Sequence, residues 1–116
     1  MCYHSHPQMS MQGSPERRLV LLHLKALANP TRLRMLELLQ EHGEETVMEL
    51  ARDLRMTQPR VSWHLGLLRR GGLLRQRRQG RQVFCSVDLD GLRQGQRQVW
   101  ELLTANRRIA VDLAAH

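Results

Sequence analysis

Aromatic residues are nearly missing from this chain: two tryptophans, one tyrosine and one phenylalanine make up 3% of 116 residues. A β-sandwich core draws heavily on aromatic and β-branched side chains, so that class is disfavoured. The apolar residues present are mostly Leu, Val and Ala, which suit helices. Cysteine is also scarce, with two residues far apart in sequence, so no disulfide framework is expected. No apolar run approaches the ~18 residues needed to span a bilayer. The first residues lack a charged segment followed by an apolar one, so no signal peptide is read and the expected compartment is the cytoplasm. No Gly-rich phosphate loop appears, and no histidine has an acid and a nucleophile at readable spacing. Enzyme function is therefore not expected.

The charge is abundant and unevenly placed. The formal net charge is +7, and residues 52–81 hold nine arginines against Asp53 alone. The segments on either side are close to neutral. A cationic stripe focused on one stretch is the footprint of a polyanionic partner, whereas a solvated face would scatter its charge.

The centre of that stretch is Thr57–Arg70, TQPRVSWHLGLLRR. Thr57 can cap a first turn, and Pro59 fits an early helical position where a missing N–H costs little. Val61, Leu65 and Leu68 recur at the spacing of one helix face. The other faces carry Gln58, Arg60, Ser62, Trp63, His64, Arg69 and Arg70. Such a helix can pack on a core and lie in a nucleic-acid groove at once.

The remaining chain is read around this helix. Residues 1–14 have no periodicity and form a disordered arm. Residues 15–116 form one domain, small enough that a dimer sharing its core is expected. A first helix spans about Glu16 to Ala28, with Ser14 as cap and Pro15 in the first turn. Leu19, Leu22, Leu24 and Leu27 make it apolar on more than one side, which suits its own core and a second chain. His23 among them is a packed residue rather than a ligand. Asn29-Pro30 starts a second helix with Leu33, Leu36, Leu38 and Leu39 as its buried stripe, ended by His42-Gly43. Thr46 and Glu49 form a capping box for a third helix to about Leu54, with Val47, Leu50 and Leu54 inward. The turn Arg55-Met56 leads straight into Thr57, which makes the pair a helix-turn-helix.

After Gly71-Gly72 come two short strands. Leu73-Leu74 begins the first, and Val83, Cys85 and Val87 alternate in the second. Gln79-Gly80 is the turn, with Arg77, Arg78 and Arg81 at a cationic tip that suits phosphate or minor-groove contact. Cys85 reads as a small buried hydrophobe. A last helix, about Leu89 to Ala114, carries Leu92, Val99, Leu103 and Val111 near heptad spacing, with Trp100 and Leu102 widening the stripe. It is assigned to dimerisation with the first helix. Gly95 should weaken its start. The fold expected is mainly α: a winged helix-turn-helix of about five helices plus a two-stranded β-wing, forming a homodimer through the first and last helices.

This order of elements resembles the ArsR/SmtB family of bacterial transcriptional regulators. The residues that carry the resemblance are LKALANPTRLRMLELL (24–39), MELARDLRMTQPRVSWHLGLLRRGGLL (48–74) and RRQGRQVFCSVD (77–88). The resemblance implies a homodimer on a palindromic DNA operator, with an affinity changed by metal or another effector. It implies that Gln58, Pro59, Ser62 and Trp63 face bases or phosphates, that His64 and Leu65 are the family's His-Leu pair, and that Arg78 and Arg81 belong to the wing. Thr57, Arg60 and Arg77 complete the expected DNA-binding set.

The family's sensor positions are altered. Where it has a Cys-x-Cys ahead of Glu-Leu, this chain has Thr46 and Met48, neither of which supplies a thiolate. Where its last helix has Asp-x-His and a later His pair, this chain has Asp88, Asp90, Glu101 and Thr104. Attention therefore moves to the arm. Should Met1 be removed, the free amine, two backbone amides and the imidazole of His4 would suit Ni(II) or Cu(II) in a square plane. Cys2 and His6 add further donors. No cofactor is required, and Ni(II), Zn(II) or Cu(II) is the expected effector. Should the arm be excluded, Asp88, Asp90, Glu101, Asp112 and His116 are the next candidates. A second class of function is a metal-binding or protein-partner adaptor that has kept the scaffold and lost the operator. Such an adaptor has no reason to concentrate arginines beside the reading helix.

Overall fold

The structure, a computed structural model, describes residues 14–105. The elements in chain order are α1 (Pro15–Leu27), α2 (Pro30–His42), β1 (Glu45–Thr46), α3 (Val47–Leu54), α4 (Gln58–Arg70), β2 (Leu74–Gln79), β3 (Gln82–Val87) and α5 (Leu89–Thr104). The winged helix-turn-helix follows from its punctuation. Ser14, Asn29, Thr46, Thr57 and Asp88 each accept a backbone N–H at the start of a helix. The capping box is complete, with Thr46 N donating to Glu49 Oε1 at 2.8 Å and Glu49 N donating to Thr46 Oγ1 at 3.2 Å.

The wing differs from expectation in two ways. It has three strands, in the order β1-β3-β2, because Glu45–Thr46 pairs antiparallel with Cys85 and Phe84. Two residues between a helix end and a capping box carry no alternation, so no sequence period marks this strand. Its reverse turn is Gly80-Arg81, since Gln79 still pairs with Gln82. Gly80 sits at φ 62°, where a two-residue hairpin of the II′ kind needs glycine first.

The core gathers Met35 and Leu39 of α2, Leu50 of α3, Val61, Leu65 and Leu68 of α4, then Leu73 and Cys85 beneath the wing. On α2 the expected Leu36, Leu38 and Leu39 are buried, and Leu33 alone departs from the expected stripe. Leu33 is 48% exposed, and Arg32 and Met35 occupy the inner face as well. On α1 the inward residues are Val20, His23 and Ala26, which leaves Leu19, Leu21 and Leu24 on the surface. Leu89, Trp100 and Leu103 of α5 are exposed as well. The expected continuation of α5 to Ala114 and the arm of residues 1–14, save Ser14, lie outside the described residues. Among the described residues no helix is long and apolar enough to cross a membrane.

His23 ties α1 to α4 and α5. Its Nδ1–H donates to the Gly71 carbonyl at 3.0 Å, and its Nε2 lies 3.1 Å from the Gln96 amide, whose N–H donates to it. Gly95 permits this packing. A Cβ there would lie 2.2 Å from both Cε1 and Nδ1 of the His23 ring. The ring is buried and held at both nitrogens, so it has nowhere to move. Gly95→Ala is expected to cost about 1–3 kcal/mol by overpacking, against the small gain that helix propensity alone would give. Urea denaturation of the two proteins checks the sign.

Candidate nucleic-acid interface

Helix α4 buries Val61, Leu65 and Leu68 and turns Thr57, Gln58, Pro59, Arg60, Ser62 and Trp63 outward. Its 3.6-residue period puts positions 59 and 63 opposite the 61, 65, 68 stripe and 62 on its flank, while 58 is exposed as the first residue of the helix. Thr57 spends its hydroxyl oxygen as the cap, accepting from Arg60 N at 3.4 Å, and the donor groups of Gln58 and Ser62 remain open to solvent.

His64 does not join that face. It is 4% exposed and points into the domain, so its expected role against DNA is corrected to a structural one. Arg32 Nη1 donates to His64 Nδ1 at 3.1 Å. The same guanidinium donates from Nε to the Ala26 carbonyl at 2.9 Å and from Nη2 to the Lys25 carbonyl at 3.0 Å. These carbonyls belong to the last turn of α1, where helix geometry leaves acceptors free. Arg32 thus clamps the end of α1 to the middle of α4. A guanidinium offers only donors, so the His64 ring must accept at Nδ1 and be neutral. Burial first, then the charges of Arg32 and Arg60, hold its pKa below the ordinary histidine value. The indole of Trp63 packs edge-on against His64, with ring centroids 4.9 Å apart, and lies 5.9 Å from the Arg32 guanidinium carbon. Trp63 is nevertheless 59% exposed. The clamp therefore braces a large side chain on the outer face.

The arginines divide by what holds them. Arg77 is not a tip residue. It lies opposite Phe84 in the ladder, stacks on that ring at 4.6 Å and makes a two-pronged pair with Glu44 at 2.9 and 3.1 Å. Its expected DNA contact would have to compete with Glu44, which pairs with it in the free chain. The pairing lowers the Glu44 pKa and raises that of Arg77. Arg75 bridges Asp88 at 3.2 Å and Asp90 at 3.1 Å, and Arg69 donates to Gln76 at 3.3 Å. By contrast, the guanidinium groups of Arg55, Arg60, Arg70, Arg78 and Arg81 are exposed and have no carboxylate partner among the described residues. These are the charges free to meet phosphate. Arg55 lies in the short turn between the two helices, where no sequence period marks it. It caps α3 in the left-handed conformation, φ 55° and ψ 48°, and its place between the two helices is the signal that could have found it.

Comparison with known proteins follows the same outline. The family described as bacterial regulatory protein, arsR family, matches residues 29–76, from the α2 cap to the middle of β2. The chain is 45% identical over 60 residues to the arsenic resistance transcriptional regulator ArsR1 of Pseudomonas putida, covering 52% of this chain and 47% of that one. It is 49% identical over 59 residues to the arsenical resistance operon repressor of Escherichia coli, covering 51% of this chain and 50% of that one. The matches to these two thus span about half the length of each relative. Among solved structures, the homodimeric winged helix-turn-helix DNA-binding domain of Mb0332 from Mycobacterium bovis superposes with TM-score 0.60 at 31% identity. The alignment covers 82% of this chain and 80% of that one.

The chain belongs to the ArsR family.

Its relatives are named as transcriptional regulators, in a family of DNA-binding proteins rather than enzymes. The positions matched to the family's sensors serve other ends. Thr46 serves as a helix cap, and Met48 is 66% exposed. Asp88 caps α5, accepting from Gly91 N at 2.9 Å, and shares Arg75 with Asp90. These acids do not converge with Glu101 into a ligand set among the described residues. Cys85 is fully buried, and burial pushes its thiol pKa up, which suits the inert role expected of it. Cys2, His4 and His6 lie outside the described residues.

Proposed function

We propose that this ArsR-family chain is a bacterial DNA-binding transcriptional regulator that acts in the cytoplasm as a homodimer on a palindromic operator. One observation carries the reading: the outward face of α4 joins base-reading side chains to exposed arginines that no acid among the described residues neutralises. Gln58, Ser62 and Trp63 would meet base edges, while Arg60, Arg78 and Arg81 would meet phosphate, with Thr57 and Pro59 setting the helix start against the backbone. The exposed leucines of α1 and the Trp100 and Leu103 surface of α5 suit a second copy, as does the homodimeric state of the Mycobacterium bovis domain. Two copies of α4 would then enter successive major grooves about 10 bp apart. The effector class we propose is a metal ion. The arsenical names of the relatives support the class alone, and Cys2, His4 and His6 would offer the arm's donors to Ni(II), Zn(II) or Cu(II).

A gel shift on the DNA upstream of the chain's own gene, paired with sedimentation, tests this. A dimer at micromolar concentration and a salt-sensitive shifted band are expected. Gln58→Ala and Ser62→Ala should change preference among operator variants by about 1–3 kcal/mol for each base interaction removed. A strict monomer, or binding with no preference between the upstream DNA and unrelated duplex, would remove the reading.

A further inference from the structure

At residues other than the expected sensor positions, though beside Thr46, three side chains of α2, β1 and α3 converge. His42 ends α2, Glu45 opens β1 and Asp53 lies near the end of α3. Each offers a ligand atom within 4.8 Å of the others, and among the described residues this is the one such group. Glu45 is the unusual member. It is 3% exposed, and its Oε2 is buried with no hydrogen-bond partner. Its Oε1 contacts His42 Nδ1. A buried carboxylate oxygen without a donor is costly, and such atoms are uncommon in folded proteins. Burial holds the Glu45 pKa above the ordinary carboxylate value. His42 opposes the rise and the carboxylate of Asp53 adds to it. Among the described residues the cation paired to Asp53 is Arg52, at 3.6 Å on the solvent side. Beyond the facing carboxylate of Asp53, itself an acceptor when ionised, no described residue answers the Glu45 oxygen.

We infer that His42, Glu45 and Asp53 form a binding site for a divalent first-row cation such as zinc. One imidazole nitrogen and two carboxylate oxygens are borderline-to-hard donors, which suit Zn(II), Co(II) or Mn(II) and exclude ions that demand thiolate. Two ligand atoms of a tetrahedral zinc site lie about 3.4 Å apart, so the most widely separated pair must close by up to ~1.5 Å. Glu45 is fixed in the sheet, but the side chains of His42 and Asp53 are 47% and 27% exposed and free to turn. A fourth position would face water. The ion would give Glu45 Oε2 its missing partner and relieve the facing carboxylates. It would also pin the end of α2 and the end of α3 to β1, which pairs with the wing strand at Cys85. Asp53 stands four residues before Thr57, so the pinned element is the first helix of the helix-turn-helix. The site stands independently of the DNA-binding reading.

The test is zinc titration of the full chain carrying Cys2→Ser, His4→Ala and His6→Ala, so that the arm contributes no side-chain ligand. Calorimetry with a competing chelator should give one zinc per chain, and zinc in excess should raise the melting temperature by mass action. His42→Gln and Asp53→Asn are surface changes that should keep the circular dichroism spectrum. Each should weaken zinc at least tenfold and abolish the thermal shift. Glu45→Gln should do the same, with its folding checked in parallel. Absence of saturable binding, or equal affinity in the parent, His42→Gln and Asp53→Asn proteins, would overturn the assignment.

Discussion

Arg32→Ala should cost about 3 kcal/mol of folding stability, because three hydrogen bonds from a buried cation go at once. Two carbonyls at the end of α1 and His64 Nδ1 would lose their donor. Water can reach some of them only by entering the junction of α1, α2 and α4. Arg32→Lys should recover little, since one ammonium cannot span the three acceptors that the planar fork reaches. Chemical denaturation of the three proteins decides the matter, and a loss under about 1 kcal/mol would mean that the clamp is ornamental.

The same clamp sets a pH dependence with a definite sign. His64 accepts from Arg32 and resists protonation in the fold, so its pKa is lower there than in the unfolded chain. Its contribution is therefore full above about pH 6.5 and shrinks as pH falls below that value. His42 runs the other way. The contact with Glu45 raises its pKa, so its contribution is present at low pH and is lost as pH rises through the folded value. His64→Gln should flatten only the acid-side loss. Melting temperatures of wild type and His64→Gln between pH 5 and 8 separate the two effects.

The second large effect concerns the wing. Arg78→Ala with Arg81→Ala should weaken DNA binding about tenfold or more near physiological salt, for all sequences alike. For every phosphate no longer neutralised, the slope of log affinity against log salt should also fall by about 0.9. Arg77→Ala is the control. Its guanidinium is already paired with Glu44, so removal should leave the salt slope nearly unchanged. A wing double mutant with wild-type affinity at every salt concentration would end the assignment of these two residues. An equal weakening by Arg77→Ala would show that the Glu44 pair opens on DNA.

Much of this protein is local and was legible as such. The caps at Ser14, Asn29, Thr46 and Thr57, the stripe of Val61, Leu65 and Leu68, and the strand of Val83, Cys85 and Val87 all lie within a turn or two of their partners. Short-range hydrogen bonding and periodicity determine such features, and one sequence records both. The concentration of arginine over residues 52–81 likewise depends on composition alone. What tertiary structure decided is which of those charges are spent. Arg77 meets Glu44 across 33 residues of chain, and Arg32 meets His64 across 32. His64 stands three residues after Val61 and four before Leu68, so the helical period itself turns it inward, and what the tertiary structure supplied is its partner, Arg32. The strand Glu45–Thr46 exists only because β3 arrives to pair with it, and the gathering of His42, Glu45 and Asp53 depends on that strand. Interactions of this kind are pairings between distant segments, and their physical cause is the packing of whole elements rather than the preference of any one residue.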